Sequence, residues 1–118
     1  MVNQVHRLAF SQIDSPRIKH FRDYWNARRT DPDLIPRRAD FDPAHLRELL
    51  PNIVIMEVEQ NPLRFRYRLV GTRVVEFNNL DFTGLYLGTI GWNEERQLVD
   101  ACTDAVAGKA PLCGSYNG

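Results

Sequence analysis

Arginines stand out first as residues able to do chemistry. Arg37 and Arg38 are adjacent in the stretch RRADFDPAHLRELLP, with Arg28 and Arg29 upstream. A guanidinium presents a planar fork of donors that grips phosphate or carboxylate bidentately. Paired arginines therefore suit an anionic nucleotide. The plainer alternative is solvated connector charge balanced by Asp31, Asp33 or Asp40, the usual fate of charge runs. A second group, Arg64, Arg66 and Arg68, occupies alternate positions. On a strand these form a cationic stripe along one face. Rings such as Tyr24 and Trp25 could stack on that stripe, making it a dimer contact or an intramolecular cover; plain exposure is the other option.

The remaining reactive side chains point to less. His6, His20 and His45 do not cluster in sequence, and they read as surface or helix-flank histidines rather than metal or haem ligands. Cys102 and Cys113 make neither a disulfide framework nor a zinc pattern. Cys102 reads as a small core residue, and Cys113 is equally bland. No Ser-His-Asp order, paired-carboxylate motif or phosphate-binding glycine loop is present. The expectation is a protein without catalytic activity. An enzyme of unknown type stays as a third reading, because general acid–base sites leave no fixed spacing.

Composition bounds the rest. The chain has 118 residues, enough for one modest core, and 43% are hydrophobic and 25% charged. Disorder throughout is excluded. Fifteen basic and fifteen acidic residues cancel, so no global field draws nucleic acid or a membrane surface. The start, MVNQVHRLAF, lacks the apolar core of a signal peptide, and the apolar stretch LLPNIVIM is too short to span a bilayer. A cytoplasmic setting without a membrane anchor is expected.

Several elements must position these groups. Residues 1–13 are expected to be loosely ordered. A helix follows, with Ser15 as N-cap and Pro16 at its first position. Ile18, Phe21 and Trp25 form its narrow apolar stripe, suited to a dimer contact or to a lid over the sheet. Pro32 and Pro36 make an extended connector. Residues 1–41 are thus an N-terminal helix and connector, and residues 42–118 the domain proper. Asp42 and Pro43 open a two-turn helix that Pro51 stops. NIVIMEVE reads as a strand apolar on both faces, suited to an interior place. After an Asn-Pro turn, RFRYRLV alternates Phe65, Tyr67 and Leu69 against the arginines, so the two strands form a hairpin. A short helix follows Gly71 and ends at Asn78 or Asn79 in the left-handed conformation. Residues 80–91 are irregular, with Gly84, Gly88 and Gly91 as punctuation. A long helix follows, capped by Asn93, with Glu94 and Glu95 at its positive end. Leu98, Val99, Cys102, Ala105 and Val106 form its inner face, and Gly108 ends it. The segment from Leu112 starts a third strand. The layout is α+β with a small antiparallel sheet.

DFDPAHLRELLP, RFRYRLVGT and DFTG, in this order and spacing, resemble a bacterial subfamily of PAS-like sensor domains over roughly residues 17–118. The resemblance implies a five-stranded antiparallel sheet with helices across one face. NIVIMEVE would be the first strand and the segment from Pro111 the third. The last two strands would be absent, through truncation or because another chain supplies them. The first strand would then expose an edge that invites pairing. Phe65, Tyr67, Val74, Phe77, Trp92, Leu98 and Cys102 become the ligand-pocket candidates, with simple core filling favoured in so small a domain. No haem or flavin signature is found, so the cofactor stays unknown. The expected role is a non-catalytic sensory or protein-interaction module, acting in trans on a signalling partner or as a homodimer, with a small-molecule ligand as an option. The runner-up is a small regulator gripping an anionic nucleotide through Arg37 and Arg38.

Overall fold

The computed structural model describes residues 5–29, 31 and 35–116. Its elements run β1 (Val5–Leu8), α1 (Pro16–Ala27), β2 (Val54–Glu59), β3 (Arg64–Val70), α2 (Thr72–Asn78), α3 (Glu95–Gly108) and β4 (Cys113–Tyr116). Short 3₁₀ turns lie between α1 and β2.

The alternating pattern of β3 dictates the centre of the molecule. β2 and β3 pair antiparallel, with Val58 opposite Phe65 and Met56 opposite Tyr67. Phe65 and Tyr67 are buried at 3% and 5% exposure, while Arg64, Arg66 and Arg68 face solvent. A bulge interrupts the ladder between Ile55 and Met56, so that Ile55 pairs with Leu69 and Arg68 is the extra residue. That shift takes Leu69 off the face expected for it, and it stays exposed. The outer edge of β3 is closed by the irregular loop: Gly84 N donates to Tyr67 O at 2.7 Å, Tyr67 N to Leu85 O at 2.8 Å, and Leu87 N to Phe65 O at 2.9 Å. Among the described residues the opposite edge of β2 has no strand beside it.

Phe65, Tyr67, Phe82 and Leu87 make the core cluster, and Leu98, Val99 and Cys102 of α3 pack against it. The long helix therefore shields the aromatic side of the hairpin, as its inner face requires. Its stripe leaves the core at the last turn, where Val106 is exposed.

Four local expectations are corrected. Val5–Leu8, expected loose, forms β1 and pairs antiparallel with β4. β4 accordingly pairs with β1 in a second two-stranded sheet, where a single sheet was expected. The stretch from Asp42 to Pro51 is not a two-turn α-helix but 3₁₀ turns at Pro43–Leu46 and Leu50–Asn52. Its buried residues, Leu46 and Leu49, are three apart, which is the repeat of the tighter helix. Asp42 does cap it, accepting from Ala44 N at 2.9 Å. At α3 the N-cap residue is Glu94 and not Asn93, and Lys109 rather than Gly108 takes the left-handed position, at φ 50°. The cap of α1 is as expected, with Ser15 Oγ accepting from Ile18 N. So is the end of α2, where Asn79 is left-handed at φ 53°.

Candidate functional site

The helix-facing side of the hairpin gathers six of the seven pocket candidates, Phe65, Tyr67, Val74, Trp92, Leu98 and Cys102, into one packed cluster. Phe82, the aromatic residue of DFTG and not among the pocket candidates, stands at its centre with 2% exposure. Its ring meets Tyr67 edge-on at 4.6 Å and Trp92 edge-on at 4.9 Å. Such T-shaped contacts add to simple burial. These rings fill the space between hairpin and α3, so this face is a core. Phe77 is the exception and is corrected: at 70% exposure it lies outside the cluster. Val74 takes the inward side of the short α2, and Asn78 folds back to donate to Val74 O at 2.8 Å. Burial pushes the Cys102 thiol above its ordinary range, which disfavours the nucleophilic thiolate. Cys113 moves the same way through burial, partly opposed by the charge of Arg22.

The loop entering α3 is held by one carboxylate. Glu95 is 5% exposed, and its two oxygens accept from four main-chain N–H groups. Oε2 takes Gly88 N at 2.6 Å and Ile90 N at 3.2 Å; Oε1 takes Trp92 N at 2.9 Å and also Gly91 N. Gly88 and Gly91 both sit at φ +99°, a conformation open to glycine that turns successive N–H groups inward. Burial opposes the charge of Glu95, but the four donors outweigh it and hold the carboxyl below its usual value. In the sequence Glu95 is marked only as a residue suited to the helix dipole. The available signal was two glycines spaced ahead of a glutamate.

The arginine stripe is largely neutralised within the hairpin. Arg64 meets Glu59 at 2.7 Å and lies over the Tyr86 ring, and Arg68 meets Glu57 at 2.5 Å. Within the chain Tyr24 and Trp25 do not stack on it, so of the two options open for a single chain the stripe takes exposure and not an intramolecular cover. The two rings lie beneath Arg28 and Arg29 at the end of their own helix. Tyr24 instead docks α1: its hydroxyl accepts from Asp42 N at 3.0 Å and lies 3.0 Å from His45 Nδ1. Among the described residues no three His, Cys, Asp or Glu side chains are placed to hold a metal ion.

Arg37 and Arg38 part company. Arg37 approaches Asp40 at 3.6 Å, and Asp40 also accepts from Arg37 N at 2.7 Å. Asp33, another expected partner, lies outside the described residues. Arg38 lines a cavity of about 270 Å³ between α1, the connector and β2. An open polar groove of about 740 Å³ lies on the other side of the 3₁₀ corner, with Arg17, His20, His45 and Arg47 on its walls.

An antiparallel hairpin under a long helix, with the first helix docked outside that core, is a small α+β domain. The family model for the PAS domain matches residues 13–114, and the chain belongs to that family. PAS domains are sensory and signalling modules. No curated protein and no solved structure gives a significant match. Among the described residues no helix is long and apolar enough to cross a membrane.

Proposed function

We propose that this PAS domain is a non-catalytic signalling module that acts in trans through α1, by self-association or on a partner protein in the cytoplasm. The observation that carries this reading is the state of α1. Its twelve residues include an apolar stripe, yet none of them is buried. Ile18 is 43% exposed, and Phe21 and Trp25 are only partly covered. An amphipathic helix with an uncovered stripe offers a contact surface. Tyr24 attaches it to the 3₁₀ corner through a few polar contacts, so it can shift without disturbing the core. Two free thiols suit a reducing compartment. A nucleotide grip by Arg37 and Arg38 together finds less support, since one is paired with Asp40 and the other faces an apolar cavity.

Light scattering on the protein and on Ile18→Glu tests the self-association form of this reading. The expected result is a dimer mass that falls to the monomer mass in the variant. A monomeric parent, or a dimer indifferent to the substitution, contradicts it.

A further inference from the structure

We infer that the cavity between α1, the connector and β2 is a binding site for a small amphipathic anion, an apolar chain or ring bearing one carboxylate. Its walls are apolar: Phe21, Phe41, Leu46, Ile53 and Met56 lie on them. Among the described residues Arg38 is the single charged one lining it, and Arg38 is exposed, so the apolar recess meets solvent beside a cation. Among the described residues no carboxylate pairs with Arg38. The neighbouring acid, Asp40, is taken by Arg37. A cation that no described carboxylate pairs, beside a greasy cavity, selects a ligand whose two ends match it: an anionic head for the fork of donors, an apolar body for the recess.

Size narrows the class further. A volume of about 270 Å³ is the share of roughly nine waters in the liquid, which suits a short fatty or aryl acid. The site adjoins the ring-filled sheet–helix core and shares Val54 and Met56 with it, but its other walls come from α1 and the connector. Phe21 belongs to α1, so an occupant touches the helix as well as β2. The inference stands apart from self-association, since its readout is binding and not mass.

Octanoate and octanol are the probes, titrated by calorimetry into the full chain, into Arg38→Gln and into Arg37→Gln, with amide chemical shifts recorded in parallel. Saturable binding of octanoate is expected, at least about tenfold tighter than octanol. Arg38→Gln should erase that preference, while Arg37→Gln keeps it. Shifts should concentrate at Phe21, Leu46 and Met56. Absence of saturable octanoate binding, as would follow if an extended segment already lay along β2, overturns the inference. So does equal affinity for the two probes, retention of the preference in Arg38→Gln, or shifts confined to residues away from the cavity.

Discussion

Glu95 Oε2 accepts a hydrogen bond from Gly88 N, seven positions earlier, at 2.6 Å. The contact ties the start of α3 to the loop whose preceding residues, 84–87, close the outer edge of β3. With the three further N–H groups on the same carboxylate, one side chain organises the approach to the long helix.

Replacing Glu95 by Gln therefore leaves an amide facing donors it cannot all satisfy. The expected loss is about 2–4 kcal/mol in urea unfolding, since each unsatisfied buried donor is costly. The pH dependence has a definite sign. A carboxyl held below its ordinary value of 4.5 contributes stability that is fully present above that value and is lost as pH falls through its folded value. The gap between the protein and Glu95→Gln should be widest near neutrality and should narrow in acid below that value.

Gly71 should tolerate no side chain. A Cβ there would lie 2.3 Å from Pro51 O and 2.6 Å from Leu50 O, both main-chain atoms that cannot swing away. Its φ of −61° is ordinary, so the requirement is close approach and not conformation. Gly71→Ala is expected to cost at least about 2 kcal/mol, read as a lowered urea midpoint with an unchanged slope.

Phe82 and Phe77 form a contrasting pair. Phe82→Ala empties the centre of the core and should cost about 3–5 kcal/mol. Phe77→Ser, on the exposed side of α2, should fall within about 0.5 kcal/mol of the parent. Thermal unfolding of the two variants checks both.

Tyr24→Phe keeps the ring beside Phe41 but removes the hydroxyl that serves Asp42 N and His45. A loss of about 0.5–1.5 kcal/mol is expected. Faster amide exchange confined to α1 and the 3₁₀ corner would show that this bond fastens the helix.

The strongly patterned pieces of the chain were legible in advance. Alternation in RFRYRLV fixed the buried face of β3, and the apolar spacing of Leu98, Val99 and Cys102 located the inner side of α3. Three kinds of feature were not legible. The bulge that turns Leu69 outward has no local mark, because any residue can be the extra one. The pairing of β1 with β4 joins the two ends of the described chain, a contact that no window of neighbouring residues reveals. Phe82 belongs to DFTG but lies in a loop without periodicity, so spacing alone did not separate a core ring there from an exposed one such as Phe77. For the candidate site, Arg38 was visible as chemistry, but the apolar cavity beside it is built from α1, the connector and β2 together.

The central claim is a solid core with a helix docked lightly outside it, able to move and be read by another protein. Native-state amide hydrogen exchange across the whole chain tests this most directly. The account predicts that Tyr67, Leu87 and the inner turns of α3 exchange only by global unfolding, while the amides of α1 open at least about tenfold more readily. Protection of α1 equal to that of β3 and α3 would contradict it, because the helix would then be part of the core.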